Sequence, residues 1–239
     1  MKTTGHVVLI TGGATGIGFA LAEKFHAAGN RVILVGRTQT TLSQAAAALP
    51  GAITRVADIA RASDRARLAA EFPEVTLLVN NAGIQVNAPL LALAAEQIEH
   101  EHHVNFMAQV LLCRAFLPQL VRCESAAIVN VTSGLALVPK QVAAMYCASK
   151  AALHSFSKTL RWQLEDSSVK VFEVLPPLVE TAMTSGRGTG KITAAQLAEE
   201  FWIGFKHDRF EMLIGKTKLL AVINRLAPAI AEKMLRHGL

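Results

Sequence analysis

The chain has 239 residues, of which 51% are hydrophobic, and a formal net charge of +6. This composition excludes a disordered chain, and the length predicts one α/β domain over residues 1–239. No segment reaches the roughly 18 uncharged apolar residues that a membrane span needs. The three cysteines show no paired spacing, which argues against a disulfide framework. We therefore expect a cytoplasmic protein with reduced thiols.

Strand-like and helix-like segments alternate along the chain. Apolar runs predict strands at residues 6–11, 31–35, 53–56, 76–80, 126–131 and 169–175. Helices are predicted up to about residue 28, up to about residue 48, and near 61–72, 95–122 and 142–166. Apolar strands that alternate with amphipathic helices indicate a parallel sheet with helices on both faces.

A glycine-rich turn, Thr11-Gly-Gly-Ala-Thr-Gly-Ile-Gly18, follows the first predicted strand. Gly12, Gly16 and Gly18 let the backbone turn tightly and approach a pyrophosphate at the N-terminus of the next helix. Between a strand and a helix, this pattern predicts a dinucleotide site. A turn with only a structural role is the alternative.

Arg37 follows the second predicted strand, near the point where an NAD-binding protein carries an acid for the ribose 2′-hydroxyl. The sequence there is Val35-Gly-Arg-Thr38, without an acid. A guanidinium suits a 2′-phosphate, so we expect NADP(H) to be preferred and NAD(H) to be the second option. The alternative is an exposed arginine that binds nothing.

Two more predicted strands end in polar residues. Asp58, after the third strand, is placed either to meet the adenine or to cap the next helix. The fourth strand ends in Asn80-Asn-Ala-Gly83, where small residues leave room for a ribose. Asparagines at a strand end also suit a simple turn, so this segment supports a nucleotide site only together with the other motifs.

Tyr146 and Lys150 are four residues apart in a predicted helix, so their side chains project from one face. A nearby ammonium favours the phenolate and should lower the pKa of the tyrosine. Such a tyrosine can protonate a carbonyl oxygen while hydride reaches the carbon. With Asn105 and Ser133, the pair predicts a nucleotide-dependent carbonyl oxidoreductase. The alternative is a nucleotide-binding sensor or scaffold protein without turnover.

These motifs resemble those of the classical short-chain dehydrogenase/reductase family. The matching segments, over about residues 5–185, are 11–18, 80–83, Asn105, Ser133, Tyr146 and Lys150. Within the family, residues 131–136, 151–156 and 176–181 look like the DltE-like oxidoreductase branch. The resemblance implies a Rossmann-type doubly wound parallel sheet of about seven strands, and a homodimer or homotetramer.

The resemblance also implies a role for each site residue. Tyr146 would be the acid/base, and Lys150 would bind the nicotinamide ribose. Ser133 would orient the carbonyl, and Asn105 would hold a water that links Lys150 to solvent. The implied cofactor contacts are Gly12, Thr15, Gly16, Ile17, Gly18, Arg37, Asp58, Ile59, Asn81, Ala82, Gly83, Tyr146, Lys150, Pro176, Val179 and Thr181.

One departure from the family pattern is Pro176-Pro177, where the family has Pro-Gly. Because proline fixes φ and lacks an N–H donor, the backbone beside the nicotinamide should differ there. Further along, residues 181–191 are rich in Gly, Ser and Thr and predict a loop over the substrate, within a lid region at 181–207. An ordinary surface loop is the alternative.

The substrate is expected to be a small carbonyl or alcohol compound with apolar groups. This expectation depends on the residues that would line the pocket in a family-like structure, which are Leu135, Leu137, Val138, Leu178 and Met183. No motif indicates nucleic-acid binding. No metal is expected either, because His100-Glu-His-His103 lacks the H-E-x-x-H spacing.

Residues 216–239 combine positive charge with apolar residues at helical spacing. The apolar positions are Leu219, Ile223, Leu226, Ile230 and Met234. Such a segment packs on its own domain or on a second subunit, or it lies on an anionic membrane surface. We expect packing, with peripheral membrane contact as the alternative.

Overall fold

The computed structural model describes residues 1–236. Seven parallel strands form one sheet in the order β3-β2-β1-β4-β5-β6-β7. The order reverses direction between β1 and β4, as in doubly wound α/β folds. The strands are β1 Val7–Thr11, β2 Arg31–Gly36, β3 Ile53–Val56, β4 Leu77–Asn80, β5 Ala126–Val131, β6 Val169–Leu175 and β7 Glu211–Leu213. The predicted fold class is therefore confirmed. The sequence pattern did not locate β7, because three residues are too few to show a period.

Helices cover both faces of the sheet. They are α1 Gly16–Ala27, α2 Gln39–Ala48, α3 Ala62–Glu71, α4 Ala95–His102, α5 Ala108–Leu120, α6 Ala144–Gln163, α7 Ala194–Lys206, α8 Thr217–Leu226 and α9 Pro228–Leu235. Alternate residues of β1 enter the two cores, as the strand period requires. Val8 and Ile10 belong to the core that holds Phe25 of α1, whereas Leu9 belongs to the core that holds Phe116 of α5.

The helix predicted near 95–122 is interrupted. α4 ends at His102, a π-helical turn spans His103–Met107, and α5 begins at Ala108. Such wider turns inside helices are rare and often occur at functional sites. Here the turn contains Asn105, whose side chain is fully buried.

The C-terminal segment packs on the sheet domain along one side only. Ala231 and Leu235 of α9 are buried in a cluster with Val138. Pro228 separates α8 from α9 and occupies the first turn of α9, where proline is tolerated. Residues 237–239 of the predicted segment lie outside the described residues. The outward side has exposed apolar residues, which are Leu219, Val222, Leu226, Ile230 and Met234.

Among the helices of residues 1–236, none combines the length and apolar character that crossing a bilayer requires.

Candidate active site

The predicted site residues gather at the carboxyl edge of the sheet. The glycine turn follows β1, Arg37 follows β2, Asn81 follows β4, Ser133 follows β5 and Pro176 follows β6. In open α/β sheets, ligands bind at this edge, beside the point where the strand order reverses. The topology therefore brings together residues that are far apart in the sequence.

The glycine turn has a conformation that requires glycine. Gly12 and Gly16 have φ values of 61° and 54°, which side chains rarely tolerate. A Cβ at Gly18 would lie 2.2 Å from the carbonyl oxygen of Gly12, so no larger residue fits without a backbone shift. Thr15, at the N-cap of α1, is exposed, and Ile17 in the first turn is partly exposed. The turn thus presents backbone and small groups at a helix N-terminus, which suits an anion.

Asn81 holds the glycine turn in place. Its Nδ2 donates to the carbonyl oxygens of Thr11 and Gly12 at 3.0 and 3.1 Å. The backbone N–H groups of Asn81 and Ala82 donate to Thr11 Oγ1 at 3.0 and 3.1 Å. The segment after β4 is therefore more than a simple turn, and Thr11, the first residue of the glycine-rich motif, accepts two of its backbone N–H groups.

Gly83 allows the backbone to pass close to two predicted catalytic residues. A Cβ at Gly83 would lie 3.1 Å from Asn105 Oδ1 and 3.8 Å from Lys150 Nζ. Asn105 accepts the N–H of Ile84 and donates to its carbonyl oxygen, both at 2.9 Å. Its Nδ2 also donates to Ser149 Oγ at 3.3 Å. The π-helical turn therefore links Asn105 to α6, which carries Tyr146 and Lys150.

Lys150 is only 3% exposed. Its Nζ donates to the carbonyl oxygen of Val131 at 2.8 Å and lies 5.9 Å from the ring centroid of Tyr146. Burial lowers the pKa of Lys150 to about 8, and attraction to the Glu173 carboxylate opposes that shift. The side chain is thus still charged at neutral pH, but with little margin.

The pKa of Tyr146 departs from the expectation. Burial raises it to about 12, the Ser133 hydroxyl lowers it, and Cys147 and Glu101 raise it further. The expected net lowering of this pKa is therefore wrong, because burial of the phenol outweighs the interactions that favour the phenolate. Tyr146 is therefore protonated at neutral pH.

Ser133 lies at the end of β5, next to the phenol. It is 9% exposed, and its Oγ accepts the N–H of Leu135 at 3.1 Å. That bond starts a short 3₁₀ turn over Gly134–Ala136 and fixes the side-chain direction. Ser133, Tyr146 and Lys150 are thus brought together by β5 and α6.

Arg37, Asp58 and Ile59 follow β2 and β3, which lie on the side of β1 away from β4. Arg37 is exposed, and within residues 1–236 no acidic side chain lies within ion-pair distance of it. Asp58 Oδ1 accepts the N–H of Ala60 at 3.0 Å. The capping alternative for Asp58 is wrong, because the residue at the N-cap of α3 is Arg61. Ile59 is buried in the core beneath.

The segment after β6 contacts both the glycine turn and the segment after β5. Pro176 is buried and its carbonyl oxygen accepts the N–H of Gly134 at 2.8 Å. Val179 is 3% exposed. Thr181 packs on the glycine turn, since a Cβ at Gly16 would lie 3.0 Å from its Cγ2. The double proline therefore leaves the contact between this segment and the turn intact.

The predicted lid region contains two different parts. Residues 185–191 form no helix or strand, and Gly186, Gly188 and Gly190 have positive φ. Arg187 Nη1 donates to Gln85 Oε1 at 3.3 Å, which joins this loop to the segment after β4. By contrast, residues 194–206 form α7, a core helix whose Phe201 and Phe205 rings contact Phe25.

Four of the five predicted pocket residues keep some solvent exposure, although Leu135 and Leu137 also pack against the cluster that contains Val138. Leu135, Leu137 and Leu178 are partly buried, and Met183 is 37% exposed. Val138 is wrong as a pocket residue, because it is fully buried against α9.

The histidine-rich segment is used for packing. His103 Nε2 lies 3.0 Å from the carbonyl oxygen of Ala60, and His102 contacts the ring of Phe106. Within the described part of the chain, no three His, Cys, Asp or Glu side chains are grouped so as to hold a metal ion.

Comparisons with known proteins agree with this geometry. The family model described as short chain dehydrogenase matches residues 6–192. The chain is 41% identical, over 228 residues and 89% of each chain, to an uncharacterized oxidoreductase, DltE, of Bacillus subtilis strain 168.

Solved structures show the same similarity. A short chain dehydrogenase from Burkholderia cenocepacia in complex with NADP has a TM-score of 0.90 and 28% identity, with 98% of this chain and 99% of that chain covered. A short chain dehydrogenase/reductase from Burkholderia phymatum in complex with NAD has a TM-score of 0.88 and 25% identity, with 100% and 99% covered. On its sheet order, its motifs and these matches, the chain belongs to the short-chain dehydrogenase/reductase family of oxidoreductases.

Proposed function

We propose that the chain is an NADP(H)-dependent oxidoreductase that interconverts a carbonyl and a secondary alcohol on an apolar substrate. The observation that carries this proposal is the meeting of Ser133, Tyr146 and Lys150 beside the glycine turn. Asn105 completes the group through its contact with Ser149 on α6. A protein that only binds nucleotide has no need of a buried lysine beside a tyrosine and a serine.

The cradle around the glycine turn fits a dinucleotide. Its backbone is too close to Asn81 and Thr181 to accept side chains at Gly12, Gly16 or Gly18, and the N-terminus of α1 faces the same space. Gly83 and Lys150 would face the nicotinamide ribose, and the Thr181 segment would face the carboxamide. When bound, the nicotinamide gives or accepts the hydride.

Arg37 supports the preference for NADP(H). An exposed guanidinium without an ionic partner in the described residues can pair with a 2′-phosphate in a bidentate manner. Related structures hold NADP in one case and NAD in another, so family membership leaves the choice to residues such as Arg37.

Tyr146, Ser133, Lys150 and Asn105 would carry out the proton transfer that accompanies hydride transfer. Tyr146 is protonated at neutral pH, so its Oη can donate to the substrate oxygen during reduction. Ser133 Oγ lies beside the phenol and can donate to the same oxygen as negative charge develops. The Lys150 ammonium stabilises the resulting phenolate, and Asn105 would hold the water that returns a proton to Lys150.

An apolar substrate is inferred from the surfaces around Ser133. Leu135, Leu137, Leu178 and Met183 offer apolar surface there, so a hydrophobic ketone or aldehyde fits the site. The loop at residues 185–191 would close over it. Arg187 would hold that loop through its bond to Gln85.

We also infer a homodimer or homotetramer through the outward faces of α5 and α6. Val121, after the end of α5, and Trp162, on α6, are 43% and 58% exposed. Large apolar groups on adjacent helices suit a subunit contact. Analytical ultracentrifugation tests this inference, and a monomer at micromolar concentration would contradict it.

Tyr146→Phe tests the proposed function. NADPH oxidation should be measured against a panel of hydrophobic ketones and aldehydes. The variant should lose about a hundredfold or more in kcat, since only the proton donor is removed, while NADPH still binds. Cys147→Ala, one residue further on the same helix, is the control and should turn over normally. Equal turnover in Tyr146→Phe would reject the mechanism, and binding without oxidation by the unmodified protein would favour the sensor or scaffold alternative.

A further inference from the structure

A carboxylate without a role in the proposed proton transfer lies buried beside the site. Glu173, on β6, is 1% exposed. Glu211, which pairs with Glu173 in the register of β6 and β7, is exposed. Because a buried charge is costly unless it is paired and hydrogen-bonded, the partners of Glu173 indicate its role.

Two side chains bind the carboxylate. Thr132 Oγ1 donates to Glu173 Oε1 at 2.6 Å, and His154 Nδ1 lies 2.9 Å from both carboxylate oxygens. The hydrogen bond to Glu173 raises the pKa of His154, against the effect of burial. The buried carboxylate is thus hydrogen-bonded to the Thr132 hydroxyl and held against the His154 ring.

Both partners of Glu173, Thr132 and His154, are near proposed catalytic residues in the sequence. Thr132 directly precedes Ser133. Its N–H donates to the Val174 carbonyl oxygen at 2.9 Å, and its Oγ1 lies 3.1 Å from that oxygen. His154 lies one helical turn after Lys150 on α6, on the same face. Lys150 Nζ donates to the carbonyl of Val131, the residue before Thr132. Residues 131–133 therefore connect the buried carboxylate to both functional side chains.

Glu173 is also the charge that opposes the burial of Lys150. Burial lowers the pKa of Lys150, and Glu173 is the group that raises it. The other charged groups on this side are Arg161, which is attracted to Glu173 and Glu211, and Lys158, which opposes the charge on His154. Arg161, Lys158 and Glu211 do not shift the pKa of Lys150, whereas Glu173 raises it.

We propose that Glu173 is a positioning residue, which fixes the Thr132–Ser133 segment through Thr132 and holds, through His154, the face of α6 that carries Lys150. The proposal rests on the proposed function of Ser133 and Lys150. A purely structural carboxylate would stabilise the fold through the same hydrogen bonds, but removing its charge would leave the ionisation of Lys150 unchanged.

Glu173→Gln separates these two roles. The amide keeps the shape and an oxygen that accepts from Thr132, but it removes the charge. Glu211→Gln is the matched control, because it removes an equal charge from the neighbouring position on β7. In full-length protein labelled with ε-¹³C lysine, NMR titration gives the pKa of Lys150, with Lys150→Arg to assign its signal.

The Lys150 signal should titrate at lower pH in Glu173→Gln than in the unmodified protein, and at an unchanged pH in Glu211→Gln. Equal Lys150 titration in Glu173→Gln and the unmodified protein would overturn the proposal. This readout does not need turnover, so a failure of the proposed function, seen as no oxidation of NADPH with any carbonyl, is distinguished from a failure of this inference.

The pH profile of kcat/KM provides the second readout. Because reduction needs a charged Lys150, the alkaline limb of the profile should move to lower pH in Glu173→Gln. A shift of one pKa unit reduces the rate about tenfold above both pKa values.

If Glu173→Gln does not fold, Thr132→Val and Thr132→Ser test the positioning of Ser133. We expect a several-fold loss of kcat with KM unchanged in Thr132→Val, and recovery in Thr132→Ser. Unchanged kcat in Thr132→Val would contradict the proposal.

Discussion

At the scale of single residues, the site depends on two buried side chains, Tyr146 and Lys150, whose pKa values are shifted in opposite directions by burial. Lys150 and Tyr146 are four residues apart, and their proximity followed from helix geometry. Their pKa values did not follow from it, because that of Lys150 depends on burial and on Glu173, and that of Tyr146 on burial, Ser133, Cys147 and Glu101. The proximity of Lys150 and Tyr146 was thus predictable from the sequence, whereas their pKa values depend on the packed structure.

Arg37→Ala should change nucleotide preference more than catalysis. The guanidinium is exposed and unpaired within residues 1–236, so its removal should leave the fold intact and take away the partner of the 2′-phosphate. Fluorescence titration should show NADPH affinity falling about tenfold or more, with NADH affinity unchanged. Arg61→Ala, an exposed arginine at the N-cap of α3, is the control. An equal affinity for NADPH in Arg37→Ala would contradict the assigned role.

At the scale of elements, the strands were predicted best. Buried parallel strands are continuous apolar runs, so six of the seven were found, whereas β7 is too short for its period to be visible. The interruption at Asn105 was missed for a different reason. Each residue of the π-helical turn suits a helix, and the turn is coupled to bonds between Asn105 and Ile84, which lie outside the helix.

The predicted lid region and the predicted pocket also depended on packing that local sequence does not show. Composition predicted a loop at 181–191, since glycines and polar residues suit positive φ and turns, and residues 185–191 form no helix or strand. It did not show that the rest of the predicted lid region, up to residue 207, is mostly the core helix α7, which begins at Ala194. Val138 was assigned to the pocket by analogy with a family-like structure, but α9 covers it from more than 90 residues further along the chain.

At the scale of the whole molecule, the outward side of α8 and α9 is the most distinctive surface. Leu219 and Leu226 are 61% and 78% exposed. The same segment carries Lys216, Lys218, Arg225, Lys233 and Arg236 against one acid, Glu232. Two copies of this surface would place like charges together, whereas an anionic membrane complements them. We therefore expect this surface to contact lipid.

Vesicle co-sedimentation tests that expectation. The protein should bind phosphatidylcholine vesicles that contain phosphatidylglycerol, and binding should weaken with salt, as screening requires. Leu226→Gln should reduce binding, while Leu91→Gln, which changes a fully exposed leucine outside this segment, should not. No binding to anionic vesicles would contradict the expectation. If Leu226→Gln instead dissociates an oligomer, the surface is a subunit contact.

The transfer of deuterium from labelled NADPH to a substrate carbon tests the central claim most directly. NADPH carrying deuterium at nicotinamide C4, on either face, should be incubated with a carbonyl from the panel, and the alcohol analysed by mass spectrometry. We predict one deuterium on the carbinol carbon with one of the two labelled faces, and almost no labelled alcohol with Tyr146→Phe. Consumption of NADPH without deuterium in the alcohol, or equal labelling by Tyr146→Phe, would contradict the account.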